Sequence, residues 1–325
     1  MDDYHFVLPD GQIAQTPAEP RTSARLLDAT GPVAHRVVAD LPRLLREGDL
    51  LVVNESRVIP ARLKLRKATG GAVEVLLLES TREGGREWEA LVRPGRRVAP
   101  GTRLLGDDEE VVEVGGYLEG GRREVVLLDG DVAERLGAVP LPPYIHTPLV
   151  DPDRYQTVYA ARPGSVAAPT AGLHLDADLL DKCVAAGAGI AKVDLAVGLD
   201  TFRPVEGALD DHVMHSERFI VPDETLAACA RAERVIAIGT TTVRALESAA
   251  RGAHAGRTDL FIRPGFDFKV VDVLLTNFHM PRSTLLVLLA AFCGPRWREL
   301  YDIALAEGYR FLSFGDCMLV SRAAA

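Results

Sequence analysis

Cysteine is scarce in this chain of 325 residues: Cys183, Cys229, Cys293 and Cys317 are widely scattered, with no CxxC pair and no histidine at ligand spacing. That excludes a disulfide framework and a cysteine-based zinc site, and leaves reduced, mostly buried thiols as the expectation. Long apolar runs are missing too. The longest, Leu285 to Cys293, falls far below the roughly 20 residues that a bilayer span requires. The opening Met1-Asp2-Asp3-Tyr4 lacks the basic start of a signal peptide, so we expect a soluble, cytoplasmic protein with no membrane partner. Positive charge is in deficit, with 37 Lys and Arg against 46 Asp and Glu and a net charge of -9. This argues against broad electrostatic binding of nucleic acid, so an RNA partner needs a local basic patch. Nor is there a Walker loop, a GxGxxG turn, a GxSxG elbow, an HExxH helix, a DxDxDG loop or a kinase motif set. The commonest nucleotide-binding, hydrolase, metalloprotease, calcium and phosphotransfer readings go with them.

What is present is ordinary globular composition, 47% hydrophobic and 26% charged, over a length that favours two cores. Glycine marks the division. The segment 61–144 holds 13 of the 29 glycines. Within it, short β-rich runs (Ala72 to Glu79, Trp88 to Arg93, Glu110 to Val114, Glu124 to Leu128) are separated by Gly-Gly and Pro-Gly turns. Such punctuation predicts a small antiparallel barrel. Ile59-Pro60 and Pro140-Leu-Pro-Pro-Tyr144 bound it. We therefore read residues 61–144 as a barrel inserted into a discontinuous mixed α/β domain formed by 1–60 and 145–325. In the latter, helices Asp176 to Ala186, Asp223 to Glu233 and Val243 to Ala250 alternate with strands Ile190 to Val197 and Val235 to Gly239. Strand Val270 to Thr276, helices Ser283 to Phe292 and Arg296 to Ala306, and a closing strand Arg310 to Val320 complete it.

Polar residues recur where these strands end, which is where open α/β sheets bind ligands. Gly239-Thr240-Thr241-Thr242-Val243-Arg244 joins a strand to a helix and is either a plain N-cap or a ligand cradle. Ala167 to His174 packs small residues around Pro169 and Thr170 and ends in an imidazole. His212, His215 and Glu217 suit an acid–base pair better than a metal, because a third ligand is lacking. Asn277, His279, Arg282 and Ser283 crowd one strand end, with Ser283 or Thr284 as a helix cap. Asn54 and Arg57 follow the first convincing strand. Asp316, inside the expected last strand, is a buried charge that needs Arg57, Arg244 or Arg282 as partner.

In order along the chain, these segments resemble the S-adenosylmethionine:tRNA ribosyltransferase-isomerase family of queuosine biosynthesis. The resemblance rests on Gly48 to Arg62, Pro140 to Ile145, Arg154 to Ala160, Gly164 to His174, Gly239 to Arg244, Val270 to His279 and Tyr309 to Asp316. It implies a mixed α/β domain carrying a small inserted barrel. It also implies transfer of the ribosyl part of S-adenosylmethionine to 7-aminomethyl-7-deazaguanine at the tRNA wobble position. That group then rearranges to an epoxycyclopentane, with release of adenine and methionine. S-adenosylmethionine is then a co-substrate, with no other cofactor and no metal; the oligomeric state stays open. For this chemistry the sequence offers His174, His215 with Glu217, His279 and Asp316 as catalytic groups. It offers Asn54, Arg57, Pro169, Thr170, Thr240, Thr241, Arg244, Asn277, Arg282 and Ser283 for binding. Arg57, Arg62, Lys64, Arg66 and Lys67 form the densest basic run for tRNA. Where the family reads Leu-His-Val-Gly-x-Gly-Thr-Phe, this chain has Ala196 and Asp200. A catalytically impaired tRNA-binding relative is therefore one alternative, and an S-adenosylmethionine-dependent methyltransferase is another.

Overall fold

The structure, a computed structural model, describes residues 1–81, 85–198, 205 and 207–323. It divides into two compact units: Met1–Ser56 with Pro142–Arg162 and Ala168–Ala325, and Arg57–Leu141 with Pro163–Ala167. The second begins before Ile59-Pro60 and takes in a return segment that glycine content does not mark.

The larger unit is built on a nine-stranded mixed sheet. Its strands are β1 (Arg25–Ala29), β2 (Ala34–Val37), β3 (Asp49–Asn54), β13 (Gly189–Leu195), β14 (Glu217–Ile220), β15 (Arg234–Ile238), β16 (Ala255–Thr258), β17 (Val273–Asn277) and β18 (Cys317–Ser321), in the order β16-β14-β13-β3-β15-β17-β18-β1-β2. The four central strands, β13, β3, β15 and β17, run parallel. Parallel strands covered on both faces read as continuous apolar runs, and here Leu50 to Val53 and Val235 to Ile238 are all buried. On one face Leu51, Val53, Ile236, Ile238 and Leu275 pack with Val38, Leu41, Leu179 and Cys183. The helices are α2 (Ala177–Ala185), α3 (Asp223–Arg231), α4 (Thr240–Ala249), α5 (Thr284–Cys293) and α6 (Arg296–Ala306). Asp176 caps α2 and Ser283 caps α5 through side-chain acceptance of a backbone N–H.

Two elements differ from expectation. Helix α4 begins a turn early, so Thr240, Thr241 and Thr242 lie inside its first turn and Gly239, at φ 93°, is the cap. The closing strand is shorter, starting only at Cys317. Leu312 at φ 70° reverses the chain, and Gly315 packs so close to the backbone of Arg310 and Phe311 that a Cβ would meet Arg310 O at 2.5 Å. Residues 310–316 therefore form a compact turn rather than strand.

The smaller unit holds β5 (Arg62–Lys67), β6 (Ala72–Ser80), β7 (Glu87–Arg93), β8 (Thr102–Gly106), β9 (Glu109–Tyr117) and β10 (Arg123–Leu127). All are antiparallel, ordered β5-β6-β7-β10-β9-β8, and β5 pairs β8 to close a six-stranded barrel. Closure removes the exposed edges that a free antiparallel sheet would carry. A five-residue helix α1 (Val132–Leu136) and a short strand β11 (Gly137–Ala138) follow, β11 adding to β5. The brief strands β4 (Ser56–Val58) and β12 (Arg162–Ser165) pair with each other.

Candidate active site

All four parallel strands point their carboxyl ends to one edge of the large sheet, delivering Val197 after β13, Asn54 on β3, Gly239 after β15 and Asn277 on β17. Because β18 runs antiparallel to β17, with Asn277 opposite Cys317, the 310–316 turn arrives at the same edge. Two small adjoining cavities open there, at the strand ends where open α/β sheets bind ligands. One is lined by Pro169, Thr170, Val197, Gly239, Thr240 and Thr241. The other is lined by Tyr144, Phe278, Met280, Ser283, Leu312 and Ser313. Both share Thr170, Asn277, His279 and Leu285, so these residues form the partition of a single cleft.

Asn277 is held from two sides. Its Nδ2 donates to Leu312 O at 3.1 Å and to His174 Nε2 at 3.1 Å. Accepting that bond requires a neutral imidazole, and burial supplies one by bringing His174 down to about 4, opposed by the Asp316 carboxylate. The arrangement leaves Asn277 Oδ1 buried with no hydrogen-bond partner among the described residues. An unpaired buried acceptor is costly, and a ligand N–H would satisfy it. His279 bonds Thr276 Oγ1 at 2.9 Å, and its backbone N–H donates to Tyr301 Oη at 2.7 Å. Burial brings its imidazole down to about 3, so the ring is neutral at working pH. Across the cleft, the unpaired N–H groups of the first turn of α4 and the hydroxyls of Thr240 and Thr241 favour an anionic or polar ligand group.

Of the residues marked from sequence, Pro169, Thr170, Thr240, Thr241, Asn277, His279 and Ser283 line the cleft. His174 sits behind Asn277 and reaches the cleft through it, which makes it a positioning residue. Asn54 is buried and fully engaged. Its Oδ1 accepts from Ser56 N and Leu195 N, and its Nδ2 donates to Leu195 O and, at 3.3 Å, to Thr241 Oγ1. It fixes the Thr241 hydroxyl and has no group left for a ligand. Ser283 serves as helix cap, donating to Met280 O as well.

The others are elsewhere. Arg244 turns away from the cleft into a buried pair with Glu217 and donates to Leu260 O and Thr258 O. Burial alone would raise the Glu217 carboxyl, but the Arg244 charge, His215 and the Gly198 N–H together bring it down to about 2. Glu217 is thus a fixed anion rather than an acid. His215 bonds it through Nε2 at 3.2 Å, next to Gly198. Asp316 precedes the strand instead of lying in it. Its carboxylate accepts the backbone N–H groups of Arg25 and Arg310 and pairs with the Arg310 side chain, not with Arg57, Arg244 or Arg282. Arg282, at φ 57°, reaches Asp2 at 2.9 Å. Arg57 is exposed in the smaller unit. Ala196 is half-buried, its N–H donating to Arg218 O at 2.9 Å, and Asp200 lies outside the described residues.

Sequence reasoning passed over Tyr144, which bonds Ser313 Oγ at 2.7 Å in the cleft wall, and Leu312, whose carbonyl holds Asn277. Tyr144 closes the proline-rich border stretch, the one local signal that marked it. Glu247 was also missed: buried on α4, it accepts the backbone N–H groups of Lys269, Val270 and Val271. Among the described residues no cluster of three His, Cys, Asp or Glu side chains forms a metal-binding set, and no helix is long and apolar enough to cross a membrane.

Known proteins resemble this chain over nearly its whole length. A family described as queuosine biosynthesis protein matches residues 1–320. S-adenosylmethionine:tRNA ribosyltransferase-isomerase from Thermus thermophilus is 52% identical over 98% of this chain and 99% of the relative. The one from Rubrobacter xylanophilus is 50% identical over 98% and 97%. Among solved structures, S-adenosylmethionine tRNA ribosyltransferase from Thermotoga maritima is similar, with a TM-score of 0.56 and 37% identity over 98% of this chain and 99% of that one.

Proposed function

This chain belongs to the queuosine biosynthesis protein family, and from that membership we infer that it acts as an S-adenosylmethionine:tRNA ribosyltransferase-isomerase. In full, the reading is transfer of the ribosyl part of S-adenosylmethionine to 7-aminomethyl-7-deazaguanine at the tRNA wobble position. Rearrangement then gives epoxyqueuosine, and adenine and methionine are released. S-adenosylmethionine is consumed as a co-substrate, and the reading calls on no resident metal or cofactor.

The observation that carries the site assignment is the cleft partition of Thr170, Asn277 and His279 at the carboxyl edge of the parallel strands. S-adenosylmethionine brings a carboxylate, an amine-bearing adenine and a sulfonium that acidifies the adjacent carbon. The first turn of α4 with Thr240 and Thr241 suits the carboxylate. Asn277 Oδ1 suits an N–H donor, held ready by His174 and Leu312. His279 lines both cavities with a neutral ring held through Nε2 on Thr276 Oγ1, which leaves Nδ1 as the nitrogen to take the proton from the carbon beside sulfur. Its lowered basicity costs driving force, which the neighbouring positive sulfur offsets by acidifying that carbon. Asn54 acts through Thr241.

The test is incubation with S-adenosylmethionine and tRNA carrying the precursor base, followed by mass analysis of digested nucleosides and small products. Epoxyqueuosine with free adenine and methionine is expected. S-adenosylhomocysteine with a methylated nucleoside would overturn the reading in favour of a methyltransferase.

A further inference from the structure

The barrel distributes its charges unevenly. The stretch Arg57–Leu141 contains 14 basic and 15 acidic residues, so the acidic excess of the chain lies mostly in the other unit. Several of the barrel's cations are matched: Arg103 with Glu110 and Glu113, Arg135 with Glu109 and Asp131, Arg122 with Glu89. Three of the five cations in the basic run marked from sequence are engaged too. Arg62 pairs with Glu74 and reaches Leu141 O, Arg66 pairs with Asp108, and the Lys67 ammonium donates to Arg97 O.

Apart from Arg57 on β4, four cations have no such partner among the described residues: Lys64 on β5, Arg93 at the end of β7, and Arg96 and Arg97 in the turn Gly95–Arg97. All four are exposed. They are also neighbours. Lys64 and Arg93 both stand opposite Glu74, hence on one face two strand spacings, roughly 10 Å, apart. The bond from Lys67 to Arg97 O brings the Gly95–Arg97 turn to the end of β5.

The same turn is anchored from beneath by Arg123, the largest fully buried side chain among the described residues. Its guanidinium donates to Val98 O at 3.0 Å and Gly95 O at 3.4 Å on one side, and to Gly115 O and Gly116 O on the other. It also lies 4.0 Å from the centroid of the Tyr117 ring, which is 63% exposed. A buried arginine that spends its donors on carbonyls, holds a basic turn and stacks beneath an exposed aromatic gives a rigid platform of free cations beside an open π-face. Phosphates need the cations, and an unstacked base needs the ring.

We propose that the barrel rim carrying Arg96, Arg97 and Tyr117, with Lys64 and Arg93 on the adjoining outer face, docks the tRNA, its cations on backbone phosphates and Tyr117 stacked on an unpaired base. Arg123 is the positioning residue. This rests on the tRNA-modifying reading above and names the surface that serves it.

The test measures binding of unmodified tRNA to the full chain against salt concentration. Removing one cation from a phosphate flattens the log–log slope by roughly 0.7–0.9. The pair Arg96→Gln with Arg97→Gln should therefore lower the slope by roughly 1.4–1.8, whereas the charge-matched pair Arg103→Gln with Arg135→Gln leaves it nearly unchanged. Tyr117→Ala should weaken binding roughly 5- to 150-fold, and Tyr117→Phe should restore it. Unaltered binding of S-adenosylmethionine by each variant checks that the protein is folded. Equal slopes for the two arginine pairs, or full affinity in Tyr117→Ala, overturn the surface while tRNA modification by the wild type still stands. A wild type that binds no tRNA overturns the functional reading and the surface with it.

Discussion

In the sheet unit four cations are held by partners at the strands and turns: Arg234 on Asp49, Arg218 on Asp194, Arg244 on Glu217 and Arg310 on Asp316, each carboxylate almost wholly buried. On the barrel's rim and adjoining outer face Lys64, Arg93, Arg96 and Arg97 stand in water without carboxylate partners among the described residues. The difference lies in what each charge does. Buried pairs in the sheet unit lock strand ends and turns, so that Asn277 and His279 have fixed neighbours before a ligand arrives. Solvated barrel cations lock nothing and keep their attraction for a partner that brings negative charge. On the reading proposed above, preorganisation for chemistry and readiness for docking fall to different units.

The assignment can be broken most directly at His279. His279→Gln should lower kcat by roughly 10²–10⁴ while tRNA affinity holds; a parallel loss of tRNA affinity would show that the two units do not divide the work. Next in size is the comparison of ion pairs. Glu217→Gln strands a buried Arg244 and should cost roughly 3–5 kcal/mol in denaturant melts. The exposed barrel counterpart Glu110→Gln should cost less than about 1 kcal/mol. Equal costs would erase the distinction.

Acid titration sharpens the same contrast. His174 and His279, buried neutral at about 4 and about 3, bind fewer protons folded than unfolded, so stability should fall as pH drops below the ordinary histidine value of about 6.5. Glu217, ionised down to about 2, contributes stability above the ordinary carboxyl range that is lost as pH falls through that value. Melting temperature against pH in wild type and His279→Gln reads this, with the variant showing the shallower slope between pH 6.5 and about 4. Asn277→Ala should raise the KM for S-adenosylmethionine roughly tenfold without altering tRNA affinity. The smallest effect is expected of Ala196→His, which should leave turnover close to wild type; a large gain would instead mark this chain as an impaired relative.

Much of the site was legible because strand ends in an open α/β sheet announce themselves locally. An apolar run stopping at Gly239-Thr-Thr or at Asn277-Phe-His279 is visible in any window of ten residues. Partnership was not legible. Arg244 sits in the same motif as Thr241 and only about 60° from it round the helix, yet its long side chain is drawn to Glu217, Thr258 O and Leu260 O, partners distant in sequence. Asp316 looked like a strand residue because its flanks are apolar, but the left-handed backbone at Leu312 folds the chain before it. The barrel run from Arg57 to Lys67 looked like the densest basic surface, and carboxylates neutralise two of its five cations, Arg62 and Arg66.

The sequence by itself determined the class of fold, the inserted barrel, and which strand ends would carry polar groups, since apolar periodicity and glycine and proline placement act over a few residues. Which of those polar groups face a ligand, which are consumed by each other, and which cations stay free was decided only in three dimensions. A charge or an amide is defined by what lies within about 3 Å of it. For Asn277 those neighbours are His174 and Leu312, and for the turn carrying Arg96 and Arg97 the anchor is Arg123, residues that no local window could have joined.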